Sequence, residues 1–116
     1  MSRGISIYYK LIKEDDLCVL YGYSGVDVNK EYDKDLLLKY DGVIEISKET
    51  LIKRDFLDAV NSNGIKVLNE CFYEWHHSRV ISGEETMGFF AMRVIYKIFK
   101  EFKEQGRIPD RGAVVY

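Results

Sequence analysis

Two alternating stretches near the N-terminus constrain the fold more than any other feature of the chain. Residues 4–13 and 17–24 each carry an apolar side chain at every second position and are rich in β-branched and aromatic residues, which is typical of strands with one buried face. Three acids, Glu14-Asp15-Asp16, separate them. A short polar connection places consecutive strands side by side, so the sequence predicts an antiparallel hairpin. Its core-facing side chains would be Ile5, Ile7, Tyr9, Leu11, Leu17, Val19, Tyr21 and Tyr23.

The middle of the chain contains shorter elements. Residues 36–40 (LLLKY) are compatible with a short edge strand, and the turn dipeptide Asp41-Gly42 leads into a strand over 43–46. Ser47 is a candidate N-cap for a helix over about 48–60. The buried stripe of that helix would be Ile52, Phe56, Ala59 and Val60.

Residues 65–80 fit two structures. Leu68, Cys71, Phe72 and Trp75 recur at helical spacing, which favours a helix. The run of β-branched and aromatic residues over 65–73 leaves a strand open as the alternative.

The clearest helix lies near the C-terminus. Ser82 followed by Glu85 has the spacing of a capping box, and an apolar stripe of period 3.6 then runs to Phe102. This pattern predicts a helix over 82–105 that ends at the candidate cap Gly106. The tail, residues 113–116, is predicted to add an edge strand or to pack as an arm.

Strands come first and helices follow, so the predicted fold class is α+β, with an antiparallel sheet and two or three helices on one face. A length of 116 residues is typical of one domain, and 47% of the residues are hydrophobic, which suits a single buried core. We therefore expect one domain over residues 1–116.

Composition excludes several classes of function. The net charge of −2 argues against a dedicated nucleic-acid binder, which normally carries a basic excess. The N-terminal segment has no apolar signal core, and charges interrupt every apolar stretch before it reaches the length of a membrane span. A cytoplasmic protein is expected. Cys18 and Cys71 lie in apolar surroundings and are interpreted as buried thiols, although a disulfide between them stays open.

Motifs for catalysis and cofactor binding are weak. The segment Gly22-Tyr23-Ser24-Gly25 lacks the spacing of a nucleophile elbow, and no phosphate-binding glycine motif occurs. On a helix, Glu70, Glu74 and His77 would share one face, with the Glu-x-x-His spacing of carboxylate-bridged metal sites. The predicted long helix offers no matching ligands in its apolar stripe, so no metal, cofactor or catalytic residue is expected.

The strongest candidate for a partner-binding site is the polar stretch after the hairpin. Nine tyrosines are present, and those of the predicted strands are interpreted as strand formers. Tyr32 and Tyr40 instead lie beside acids, where tyrosine is suited to an interface because it joins a large apolar ring to a polar tip. The predicted partner-binding residues are Asp27, Glu31, Tyr32, Asp33, Asp35 and Tyr40.

Four segments carry a resemblance to a known group of proteins. The hairpin IYYKLIKEDDLCVLYGYSG, the segment YDGVIEISKETL, the long C-terminal helix and the closing GRIPDRG resemble, in layout, small bacterial immunity proteins of contact-dependent growth inhibition and other polymorphic toxin systems. The resemblance implies a cytoplasmic protein that binds and neutralises a cognate toxin domain, often a nuclease. Two alternatives stay open: a generic interaction or homodimerising module, and a small metal-dependent enzyme built on Glu70, Glu74 and His77.

Overall fold

The computed structural model describes residues 4–28, 30–60, 62–74 and 88–115. In these residues, five antiparallel strands form one sheet of order β4-β3-β2-β1-β5. The predicted α+β class, with an antiparallel sheet and helices, is confirmed. The elements are β1 (Ile5–Glu14), β2 (Cys18–Asp27), α1 (Lys34–Leu37), β3 (Gly42–Ser47), α2 (Lys48–Lys53), α3 (Phe56–Val60), β4 (Ile65–Asn69), α4 (Phe89–Gln105) and β5 (Arg111–Val115).

The predicted hairpin forms as β1 and β2. Its turn is held by Asp15, whose Oδ1 accepts hydrogen bonds from the backbone N–H groups of Cys18 and Leu17, both at 2.8 Å. These bonds favour the charged carboxylate and hold the pKa of Asp15 below its usual value. Leu17, predicted to face the core, belongs to the turn rather than to β2 and is exposed.

The core lies between one face of the sheet and α4. Tyr9, Tyr21 and Tyr23 of the hairpin are completely buried there, and α4 contributes a buried apolar stripe as predicted, except that Phe102 at its end is only partly buried. The helix ends at Gly106, which adopts the left-handed conformation (φ 74°) that glycine tolerates without steric cost. The edge strand predicted for the tail is β5. The buried residues of α4 are Phe90, Ala91, Val94, Ile95, Ile98 and Phe99.

Two predicted elements in the middle of the chain are wrong. Residues 36–40 are not a strand, because Asp33 caps a short helix, α1, and accepts a hydrogen bond from Asp35 N at 2.8 Å. The single helix expected over 48–60 is two helices. Ser47 caps α2 as predicted, but the chain becomes extended at Arg54 (φ −117°, ψ 154°). The interruption changes the buried face, so Ile52 is 60% exposed and Leu51 is buried instead.

The helix favoured for residues 65–80 is also wrong where the structure describes it. Residues 65–69 form β4, which pairs with β3 and directs Ile65 and Val67 towards the core. Strand pairing at the sheet edge therefore prevails over the helical spacing seen in the sequence. Residues 75–80, and the capping box at Ser82 and Glu85, lie outside the described residues. Among the described residues, the helix α4 begins at Phe89, directly after its N-cap Gly88.

The two cysteines are free thiols in different environments. Burial raises the pKa of the Cys71 thiol to about 12, and it also raises the pKa of the half-buried Cys18. No helix among the described residues is long and apolar enough to cross a membrane.

Native protein at pH 8 is expected to react with an aromatic disulfide reagent at Cys18 and not at Cys71. Cys71 reacts only after unfolding, because its side chain is inaccessible and its thiolate is disfavoured. Since the folded pKa of Cys71 is raised, its contribution to stability is present below pH 9 and is lost as the pH rises towards 12. Thiol counting by absorbance tests the first statement, and two equally fast thiols in native protein would contradict it.

Candidate functional site

Residues 30–41, which we call the arm, lie over the outer face of the sheet, opposite α4. Ser24, an outward-facing residue of β2, is buried beneath the arm, and its Oγ donates a hydrogen bond to the carbonyl oxygen of Leu37 at 2.5 Å. Further along, the backbone N–H of Asp33 donates to the hydroxyl of Tyr73 at 2.8 Å. The arm is therefore fastened both to the sheet beneath it and to the loop that follows β4.

Tyr40, next to the last residue of the arm, has an uncommon backbone conformation. Its φ is 50°, a left-handed value that costs a bulky residue about 1–2 kcal/mol. The Nζ atom of Lys10 lies 4.6 Å from the ring centroid, a cation–π distance. A Cβ atom on Gly22 of β2 would lie 3.1 Å from the Tyr40 carbonyl oxygen, so glycine at that position lets the arm approach the sheet closely.

The acids of the arm differ in what they already do. The carboxylate of Asp33 caps α1 through the N–H of Asp35, so a substitution there changes local structure as well as charge. Glu31 and Asp35 are exposed, whereas Asp27 is half-buried at the end of β2. The arm thus presents carboxylates on a fixed backbone.

An open cavity of about 420 Å³ lies where the arm begins. Asp27 and Glu31 line it together, and Tyr73, which binds the backbone of Asp33, forms part of the same wall. The structure therefore brings three of the predicted acids around one tyrosine, and it places Tyr40 apart from them beside Lys10. The cavity is lined by Ile5, Val26, Asp27, Lys30, Glu31, Tyr73, Glu74 and Phe90.

The loop after β4 extends this surface beyond the residues predicted from sequence. Asn69, the last residue of β4, donates its side-chain N–H to the carbonyl oxygen of Asp41 at 2.7 Å, which fastens the start of the loop to the end of the arm. Phe72 is 65% exposed and meets the ring of Tyr73 edge to face at a centroid distance of 5.0 Å. Helical spacing had grouped Phe72 with the apolar residues of a predicted helix. Because residues 65–69 form a strand instead, that helical face does not exist and Phe72 is exposed.

Glu74 holds the end of the same loop against α4. Its Oε1 accepts the N–H of Phe90 at 2.8 Å, and its Oε2 accepts the hydroxyl of Tyr23 at 2.6 Å and the N–H of Ala91 at 3.2 Å. The N-cap residue Gly88 has no side chain to satisfy these N–H groups, and Glu74 does so from a distant loop. Burial, followed by the hydrogen bond to Glu74, raises the pKa of Tyr23.

This arrangement bears on the possible metal site. Residues 70–74 are not helical, so the shared helical face expected for Glu70 and Glu74 does not form, and His77 lies outside the described residues. In the described part of the chain, no group of three or more His, Cys, Asp or Glu side chains is placed to hold a metal ion. Glu74 has a structural role at the start of α4.

The geometry defines a protein with a fixed, acidic arm over a sheet and an exposed aromatic ring beside it. Comparison with known proteins adds no relative: no family model, curated protein or solved structure matches the chain. The arm and the adjoining loop are consequently the evidence from which function is argued.

Proposed function

We propose that this chain is an immunity protein, a non-catalytic inhibitor that binds a cognate bacterial toxin domain through the arm. The observation that carries the proposal is the arm itself, which is fastened to a rigid sheet by Ser24 and to a neighbouring loop by Tyr73 while its carboxylates face solvent. Loops that are held on a rigid scaffold commonly carry recognition.

Exposed apolar side chains near the acids favour a protein as the partner. Leu38 on the arm is 68% exposed, and Phe72 on the adjoining loop is exposed to a similar degree. Interfaces place large apolar anchors within a polar rim, and a small ligand would instead need an enclosed pocket. The strained backbone of Tyr40 agrees with this proposal, because strain is often retained where a side chain must be presented for function.

The charge of the arm supports a basic partner, and the layout of the chain supports a toxin as that partner. The arm contains four acids and three lysines, and Asp27 at the end of β2 adds a fifth acid beside it, so this region is acidic within a chain of nearly balanced charge. A nuclease toxin carries a basic surface to bind nucleic acid, and an acidic inhibitor would associate with it rapidly. The resemblance in layout to immunity proteins independently favours a toxin domain as the partner.

The proposal is tested by pairing the chain with any toxin domain that a gene neighbouring its own encodes. Co-expression of the two proteins is expected to restore growth of cells that the toxin alone arrests, and the purified proteins are expected to form a stoichiometric complex. An arm variant that keeps the fold is tested in parallel. It distinguishes rescue that requires binding through the arm from rescue caused by expression of the chain alone. Growth arrest that persists despite abundant folded protein, with no complex on size-exclusion chromatography, would contradict the immunity function.

Removing an aromatic anchor is expected to act on dissociation. Tyr32→Ala should speed dissociation of the complex by about thirtyfold, which corresponds to roughly 2 kcal/mol for a ring seated in a partner pocket. Phe72→Ala should act in the same direction with little loss of stability, because the ring is exposed. Surface plasmon resonance measures both rates. Tyr96→Ala, which removes a partly exposed ring on α4, is the matched control and should leave dissociation unchanged.

A further inference from the structure

A pair of basic side chains lies on the outer face of the sheet beside the arm, where the Nζ atom of Lys10 is 4.6 Å from the centroid of the Tyr40 ring. Lys10 of β1 and Arg111 of β5 are directly opposed on neighbouring strands. Like charges in this position destabilise a sheet. Neither residue forms an ion pair among the described residues, and both are exposed. Burial, and after it the charge of Asp110, the nearest acid in sequence, raises the pKa of Tyr21, which belongs to the opposite face.

The same strand is an edge of the sheet. In the strand order of the residues that the structure describes, β5 has β1 on one side only, so its other side presents backbone N–H and C=O groups that can pair with an added strand. Its outward-facing residues are Arg111, Ala113 and Val115, and Val115 is 66% exposed. Because one end of this edge carries a positive charge and the other end an apolar side chain, the edge favours one orientation of an added strand.

We propose that β5 is a second interaction surface, which binds an extended acidic segment of a protein partner by strand addition. An antiparallel segment would place an acidic residue opposite Arg111 and within reach of Lys10, and apolar residues opposite Ala113 and Val115. The carboxylate offsets the repulsion between the two cations, while backbone hydrogen bonds supply the pairing. This surface adjoins the arm at Lys10 and Tyr40, but peptide binding along β5 is measured without the toxin, so the proposal can fail or succeed without the immunity function.

The test uses a blocked synthetic peptide, Val-Thr-Val-Thr-Glu, whose order matches antiparallel pairing with β5. Titration into isotopically labelled protein, followed by amide NMR, is expected to shift the signals of Arg111–Val115 in a saturable manner. A peptide with glutamine in place of glutamate should bind on the order of fivefold more weakly, because an exposed ion pair contributes up to about that factor. A lysine peptide should bind more weakly still.

Charge variants test whether the basic pair causes the preference for the glutamate peptide. Lys10→Gln with Arg111→Gln should abolish the preference for the glutamate peptide, whereas the control Lys66→Gln with Arg54→Gln, on exposed residues elsewhere, should preserve it. Equal binding of the three peptides, shifts that avoid β5, or a preference that survives loss of the basic pair would overturn the proposal.

Two other occupants give distinct results that would also overturn it. If inorganic phosphate shifts the same amides at the same concentration as the peptide, the basic pair is a simple anion site. If sedimentation shows a dimer that dissociates on Val115→Lys, the edge pairs with a second copy of this chain.

Discussion

Val94→Asp is expected to lower the free energy of unfolding by about 3–5 kcal/mol, the cost of an uncompensated buried charge. Val94 is completely buried on the face of α4 that packs against the sheet. The sheet face beneath it supplies the apolar and aromatic side chains of the core cluster. Chemical denaturation followed by circular dichroism measures the change.

The matched control is Lys100→Asp, which places the same residue on the exposed side of the same helix. It should change stability by less than about 1 kcal/mol. Equal stability of the two variants would mean that the buried stripe of α4 has been wrongly assigned.

Glu74→Ala is expected to cost about 2–4 kcal/mol and to loosen the start of α4. The substitution removes the acceptor of the Tyr23 hydroxyl and of two helix N–H groups, those of Phe90 and Ala91. Buried donors left without an acceptor cost about 1–3 kcal/mol each, and such losses are not additive. Hydrogen exchange should show the largest loss of protection at Phe90 and Ala91.

Two further variants sharpen this result. Glu74→Gln keeps one carbonyl oxygen as an acceptor and should fall between wild type and Glu74→Ala. Glu70→Ala removes an exposed glutamate from the same loop and should have a small effect. If Glu70→Ala proved as destabilising as Glu74→Ala, the cap would not depend on Glu74.

Local patterns predicted the parts of the fold that depend on local interactions. Strict alternation and the acidic turn at Asp15 predicted the hairpin, and the 3.6-residue stripe with Gly106 predicted α4 and the residue at which it ends. Ser47 was recognised as a cap because the capping oxygen lies three residues from the N–H group that it accepts.

Interactions between distant residues could not be predicted in this way. Spacing alone favoured a helix at 65–69, but pairing with β3 makes those residues a strand. The cap of α4 comes from Glu74, 16 residues before Phe90, and no sequence motif records that contact. The acids of the arm could be read directly from the sequence. The hydrogen bonds that anchor the arm could not, because Ser24 lies 13 positions from its partner Leu37 and Tyr73 lies 40 positions from its partner Asp33.

The central claim, that the arm binds the partner, is best tested with two triple variants of equal net charge. Both replace carboxylates by amides of the same shape, so an asparagine at a helix cap can still accept its hydrogen bond. The arm variant is Glu31→Gln, Asp33→Asn and Asp35→Asn. The control variant changes exposed acids on the helix side of the molecule, namely Glu49→Gln, Asp55→Asn and Asp58→Asn.

The measurement is the association rate constant with the toxin domain proposed as the partner, recorded by stopped-flow fluorescence at low and high salt. The account predicts that the arm variant associates at least about tenfold more slowly than wild type at low salt and loses most of its salt dependence, because its steering charge is gone. The control variant should stay within about twofold of wild type. Identical association rates and salt dependence for the two variants would contradict the claim that the arm is the binding surface.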